Sequence, residues 1–206
     1  MSETQGLTGR QRAVKRVLDL AIAAPVLVLT APMIVGACLA ARLATGQSGI
    51  FRQVRIGRDG QPFEVCKIRT MRVVEGVDTN VTTGHDVRIT PAGAWMRRWK
   101  IDELPQLLNV IRGDMSLVGP RPDVPGFADL LSGADRVVLS VRPGITGPAT
   151  LAFRDEERLL TTVADPESHN RTVLWPAKVA LNREYVASWS VGGDVQYLVD
   201  TLRGGS

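Results

Sequence analysis

Two adjacent carboxylates, Asp102 and Glu103, follow the cationic run Arg97-Arg98-Trp99-Lys100 and precede Leu104-Pro105-Gln106. Carboxylates beside arginines can do phosphorus chemistry: one attacks phosphorus or holds a hard divalent cation, the other orients it, and guanidiniums hold phosphate oxygens. Mg2+ suits a site where a diphosphate must be neutralised. The same pair also reads as the start of a helix over 102–112, with Asp102 as its cap, Pro105 in the first turn, and the dipole favouring ionised carboxylates. A bare Asp-Glu pair is more often such a cap than a site. Two further devices weigh on the other side. Arg121 lies between Pro120 and Pro122, and Arg142 precedes Pro143-Gly144. Fixed φ values cut the entropy lost when a guanidinium grips a ligand. With the dyad, they describe a pocket for an anionic, nucleotide-like substrate.

These residues need elements to carry them. Residues 50–57 and 62–71 read as two strands joined by the turn Gly57-Arg58-Asp59-Gly60. Residues 73–89 read as a loop, and the Pro- and Gly-rich stretch 113–126 as a fixed irregular one. Thr90 can cap a helix that starts at Pro91, on which Trp95 and Trp99 share a face beside Ala92 and Met96. That is the pattern of a short helix at the headgroup level, although such pairs are more often ordinary core. Further helices are expected over 125–133, 154–163 and 177–187.

From Leu20 to Ala41 the chain has 22 uncharged residues, about 33 Å as a straight helix against roughly 30 Å of hydrocarbon. Pro25 and Pro32 should bend or break it. Both flanks are basic, with Arg10, Arg12, Lys15 and Arg16 before and Arg42, Arg52, Arg55 and Arg58 after, so charge assigns no orientation. A bitopic span with a proline kink and a re-entrant helix both fit.

Composition excludes other classes. The 206 residues are 44% hydrophobic and 22% charged, which rules out a disordered tail or heptad rod. Cys38 and Cys66 are the only cysteines, so no disulfide framework or four-cysteine zinc site can form, and a reducing compartment fits. Residues 1–100 hold 15 Lys/Arg and 7 Asp/Glu, whereas 101–206 hold 10 and 14. Nucleic-acid binding is disfavoured by scarce lysines, 5% aromatic content and the apolar segment. His85 and His169 lie in polar stretches and are assigned no role. A non-catalytic membrane-anchored module for anionic lipid or a partner protein is the competing class.

The run KRVLDL at 15–20, the proline-broken segment, KIRTM at 67–71, IDELPQLLNVIRGDMSLVGPRP at 101–122 and RPGITG at 142–147 resemble the bacterial sugar transferase family, the monotopic phosphoglycosyl transferases. The resemblance runs from about residue 14 to residue 202. It implies an α+β fold, a helix-rich cytoplasmic domain with a small β-hairpin, anchored by an N-terminal re-entrant, proline-broken membrane helix and interfacial amphipathic helices. On that division 1–13 is a flexible N-terminus, 14–46 the re-entrant helix with its break at Ala31-Pro32, and 47–206 the catalytic domain, as in the small form of the family.

The resemblance also implies transfer of a sugar 1-phosphate from a UDP-sugar to polyprenol phosphate, releasing UMP, at the cytoplasmic face of the bacterial inner membrane. Asp102 would be the nucleophile, forming a covalent phosphosugar intermediate, and would contact Mg2+, with Glu103 as its partner. Arg121, within Pro120-Arg121-Pro122, falls at the uridine-side contact, and Lys67, Arg69, Arg97 and Arg142 match basic positions near the phosphates. Partners would be the UDP-sugar, polyprenol phosphate and the bilayer, with a homodimer or downstream glycosyltransferases left open. Residues 148–157 depart from the family pattern, which leaves the sugar open, and Pro25 has no explanation.

Overall fold

The computed structural model describes residues 6–74 and 86–204. Most of the loop expected over 73–89, His85 included, lies outside the described residues. Helix α1 runs Gly9–Thr45. Its start precedes the boundary expected at 14 because Thr8 and Gln11 form a reciprocal capping box. It ends at Gly46, whose φ of 72° is the left-handed conformation glycine adopts without penalty. Pro25 and Pro32 both lie inside α1, which stays helical through Ala31-Pro32. Each proline removes one backbone donor and leaves its neighbours' bonds in place. The Thr30 hydroxyl donates to the Val26 carbonyl at 2.7 Å, a bond one turn back that favours bending.

α1 has a mean hydropathy of 2.2 in its most apolar stretch, and almost none of that stretch is buried. Val28, Leu29, Val35, Leu39 and Leu43 project outward. By length and composition it can cross a membrane. Both of its halves nevertheless pack on the rest of the chain. Ala23 joins the main core of Val65, Leu107, Val110, Met115, Val118 and Tyr185. Ala37 and Ala41 join a second cluster with Ile68, Met96 and Ile101, and Leu104 packs against both clusters.

The expected hairpin is present. β1, Ile50–Ile56, pairs antiparallel with β2, Pro62–Ile68, in the register Ile50↔Ile68 to Ile56↔Pro62. Gly49, just before β1, presses on α1 so closely that a Cβ there would stand 2.1 Å from the Cys38 carbonyl oxygen. α2, Pro91–Arg98, is capped by Thr90, whose hydroxyl accepts from Gly93 N–H at 3.0 Å. Met96 is buried, whereas Trp95 and Trp99 are 57% and 55% exposed, so the tryptophans are not core.

The single helix expected over 102–112 is two elements. A 3₁₀ turn, Ile101–Glu103, follows Lys100 in the left-handed conformation (φ 55°), and α3 is Gln106–Arg112. Pro105 has no N–H to extend a helical ladder back through Asp102. The carboxylate of Asp102 caps nothing.

Two short strands within the loops, β3 (Ser116–Val118) and β4 (Gly144–Thr146), pair in parallel. The contact requires glycine: a Cβ on Gly144 would lie 2.1 Å from Gly119 N. The helix expected over 125–133 is replaced by 3₁₀ turns, Ala128–Leu130 and Gly133–Ser140. Gly126 and Gly133, both at positive φ, interrupt the helical path at either end of the stretch. α4 (Pro148–Ala152), α5 (Glu156–Leu160) and α6 (Pro166–His169) are short. α7, Trp175–Ala187, matches the last expected helix with Pro176 in its first turn. α8, Val191–Arg203, was not expected, because Gly192-Gly193 obscures its pattern; its cap is Ser190. The chain is thus helix-rich with two small sheets.

Candidate active site

The turn Ile101–Glu103 presents its two carboxylates into different surroundings. Glu103 Oε1 accepts from Lys67 Nζ at 3.2 Å and from the Arg121 guanidinium at 2.7 Å. Burial opposes its charge, but Arg121 and Lys67 outweigh burial and hold the carboxyl far below the usual carboxylate range. The charge of Glu103 in turn raises Arg121. Asp102 is 8% exposed, and its buried Oδ1 has no hydrogen-bond partner among the described residues. Burial and the adjacent Glu103 charge push Asp102 above its ordinary value, against the pull of Lys67, Arg97 and Lys100. The turn therefore holds a clamped carboxylate beside one with an open oxygen, whereas the helix-start reading expected both to be favoured as anions.

Lys67 reaches the dyad because α3 is locked to β2. Asn109, fully buried, accepts from Cys66 N–H at 3.0 Å and donates to the Glu64 carbonyl at 2.7 Å. Sequence reading missed Asn109; its signal was a lone amide among Leu107, Val110 and Ile111. The Pro120-Arg121-Pro122 segment is held by its carbonyls. Pro120 accepts from Gly144 N–H at 2.8 Å, and Pro122 from Arg55 at 3.1 Å. Arg55 was also missed as a site residue. Its guanidinium grips Gln53 Oε1 at 2.6 and 3.1 Å, two positions back on the same strand face.

The expected cation set is only partly brought together. Lys67 and Arg121 touch Glu103, and the charge of Arg97 acts on Asp102. Arg69 instead donates to the Ser48 carbonyl at 2.8 Å and lies over the Phe51 ring, holding the α1–β1 connection. Arg142 is at the far end of α3. It donates to the Gly113 carbonyl at 2.6 Å, next to Arg16, which donates to the carbonyls of Val110 (2.5 Å) and Ile111 (2.9 Å). A helix C-terminus leaves unpaired carbonyls and a partial negative charge, which these guanidiniums satisfy. Arg142 is thus a helix cap, not a neighbour of the dyad.

The KRVLDL run also acquires a structural reason. Lys15 Nζ lies 2.6 Å from Asp194 Oδ2, and Tyr185 Oη and Trp189 Nε1 donate to the same carboxylate at 2.8 and 3.0 Å. Asp19 Oδ1 accepts from Ser116 Oγ and Leu117 N–H, both at 2.9 Å. These bonds fix the N-terminal part of α1 to β3, α7 and α8.

Among the described residues no group of three or more His, Cys, Asp or Glu comes together. A metal ion at Asp102 would take its other ligands from phosphate and water oxygens, and the buried, unpartnered Oδ1 has an acceptor position to give it.

A family model described as bacterial sugar transferase matches residues 10–205. A UDP-glucose:undecaprenyl-phosphate glucose-1-phosphate transferase of Escherichia coli is 36% identical over 203 residues, covering 95% of this chain and 41% of the relative. The protein of the same name from Caulobacter vibrioides is 38% identical over 193 residues, covering 91% and 68%. Exopolysaccharide production protein ExoY of Rhizobium meliloti is 31% identical over 204 residues, covering 91% and 83%. The chain therefore spans less than half the length of the first of these relatives. The family match takes in α1 and the whole cluster around Asp102, and the chain belongs to the bacterial sugar transferase family.

Proposed function

We propose that this protein transfers a sugar 1-phosphate from a UDP-sugar to polyprenol phosphate through an intermediate on Asp102, as a membrane step of polysaccharide assembly. The observation that carries the reading is the buried, unpartnered Oδ1 of Asp102 beside a Glu103 whose charge is taken up by Lys67 and Arg121. In the first step an Asp102 carboxylate oxygen bonds to the sugar-bearing phosphorus while the bond to the bridging oxygen breaks, and UMP leaves with that electron pair. In the second, a phosphate oxygen of the polyprenol phosphate attacks the same phosphorus. The Asp102–phosphorus bond breaks, the carboxylate is regenerated, and a polyprenyl-diphosphate sugar is released. A carboxylate raised by burial is the better nucleophile of the two. Lys67 and Arg121 sit where phosphate oxygens would be held, with Glu103 keeping both in place. Mg2+ held by Asp102 would neutralise diphosphate charge.

The membrane arrangement belongs to the same reading. α1 enters from the cytoplasmic face of the inner membrane and returns to it as a re-entrant helix, bent in the region of Ala31-Pro32. The packing of Ala23 and of Ala37 and Ala41 on adjoining clusters, with apolar residues exposed between, supports this. Single cysteines at Arg10 and Gln47, in a chain without Cys38 and Cys66, should label from the same side; labelling from opposite sides would make α1 a span.

The chemistry is tested by intact-protein mass after mixing detergent-held protein with Mg2+ and a panel of UDP-sugars, without acceptor. Wild type should gain the mass of a phosphosugar, and Asp102→Asn should not. No increment and no UMP release with any donor would return the dyad to a structural turn.

A further inference from the structure

Four buried side-chain polar atoms have no hydrogen-bond partner among the described residues: Asp102 Oδ1, Gln106 Nε2, Thr150 Oγ1 and Asn182 Oδ1. Thr150 lies on α4 and Asn182 on α7, but the first two share one segment. Gln106 is 2% exposed. From the 3₁₀ turn into α3 the backbone keeps right-handed dihedrals, with φ −55° and ψ −36° at Leu104 and φ −61° and ψ −16° at Pro105. Gln106 therefore stands one turn beyond the carboxylates, four positions after Asp102 and three after Glu103, the spacings that make neighbours on a helical face. Side chains on such a path lean back toward its N-terminal end, which carries the Gln106 amide over the turn Ile101–Glu103.

A buried donor without an acceptor is costly, and native proteins satisfy nearly all such groups. Lys67 and Arg121 both direct a donor to Glu103 Oε1. Gln106 Nε2 donates to neither carboxylate, although Asp102 Oδ1 is an acceptor without a donor on the same segment. A donor and an acceptor so placed, and not bonded to each other, are both satisfied by a phosphoryl group: its phosphorus takes the carboxylate oxygen, and one of its non-bridging oxygens accepts from the amide. A water bridging the two atoms would instead make the amide a purely structural group, and the test separates the two cases.

We propose that Gln106 is a catalytic residue, its side-chain amide donating to a non-bridging oxygen of the phosphoryl group that Asp102 attacks. The inference rests on the reading of Asp102 given above. As the Asp102 oxygen bonds to phosphorus and the bond to the bridging oxygen breaks, UMP takes that electron pair, and the amide keeps both of its protons throughout. Its part is electrostatic: a fixed neutral donor faces an oxygen that carries charge while an anionic nucleophile approaches.

The test compares wild type with Gln106→Met and Gln106→Leu, two apolar side chains of similar bulk and different shape, so that a misfit of one is not shared by the other. UMP release is followed in detergent with Mg2+, undecaprenyl phosphate and a panel of UDP-sugars that includes UDP-glucose. Both variants should lose about a hundredfold in kcat, the size expected for removing one such donor, with KM for the nucleotide sugar little changed. Their thermal melts should be no lower than that of wild type, because the donor they remove has no partner in the fold. Wild-type kcat in a variant that melts like wild type overturns the proposal, and so does a loss confined to KM. Both variants melting well below wild type would place the amide on a bridging water inside the fold and overturn it too. A wild-type protein that releases no UMP with any UDP-sugar sinks the reading of Asp102 and this inference with it, whereas failure of the inference alone leaves wild type active.

Discussion

Arg121 and Glu103 stand 2.7 Å apart, an ion pair that ties the Pro120-Arg121-Pro122 segment to the turn carrying Asp102. Lys67 completes the clamp from β2 at 3.2 Å. Because the charge of Glu103 is taken up by these cations, Asp102 is left as the carboxylate with an open oxygen. Two neighbouring carboxylates are thus given opposite shifts by their surroundings.

Glu103→Gln keeps the shape of the side chain and removes both ion pairs. Lys67, already lowered by burial, then loses its main charge partner. UMP release should fall on the order of a hundredfold, while Asp102→Asn removes it altogether. Steady-state rates for the two variants, with circular dichroism to establish folding, check the difference. Equal loss in both would mean that the carboxylates act as a single unit.

The pH dependence follows from opposite shifts. On the proposed mechanism Asp102 must be ionised to attack, and its pKa lies above the ordinary aspartate value of about 3.9. The rate should therefore fall as pH drops through a midpoint higher than that. Stability has the reverse sign at this residue: the folded state takes up the proton more readily, so protonation relieves a cost carried at neutral pH. Asp102→Asn should accordingly be more stable than wild type at pH 7. Glu103 is lowered, so its stabilisation is complete above the usual glutamate range near 4.3 and is lost only as pH falls through its lower folded value. Rate profiles, together with melts at pH 3, 5 and 7, test both signs.

What was legible in the sequence had local causes. The hairpin followed from alternation and a Gly-bounded turn, and α2 from Thr90-Pro91. The Asp102–Glu103–Arg121 cluster followed from the block at 101–122. What failed depended on distant partners. Nothing near Arg142 shows that the carbonyl of Gly113 needs it. The helix start at Asp102 failed for a nearer reason, because Pro105 and the left-handed Lys100 make it a buried turn. The β3–β4 pair was hidden because its strands are three residues each and their contact depends on glycines at 119 and 144 meeting across the fold.

Lys15→Met tests the attachment of α1. The Lys15–Asp194 pair is 7% and 2% exposed at its side chains, and Tyr185 and Trp189 donate to the same carboxylate. Removing one partner of a buried pair costs roughly 3–5 kcal/mol, because the remaining charge is left uncompensated. A large drop in melting temperature is expected, with part of the loss recovered in the double variant Lys15→Met with Asp194→Asn. A single variant as stable as wild type would show that α1 is held without this ion pair, by its apolar contacts and the bonds of Arg16 and Asp19.

Trp95 and Trp99 test how α2 meets the bilayer. Both rings are more than half exposed, although the same helix buries Met96, and Arg98 lies 5.9 Å from the Trp99 ring. Large aromatic rings turned out beside cations suit the headgroup boundary, where one end of the side chain is apolar and the other wet. Trp189, by contrast, is tied to Asp194 inside the protein. In vesicles containing brominated lipid, fluorescence of the wild-type protein should be quenched, and most of that quenching should disappear in the double variant Trp95→Phe, Trp99→Phe. No quenching of the wild-type protein would place these rings in water, and quenching that survives in the double variant would assign it to Trp175 or Trp189 instead.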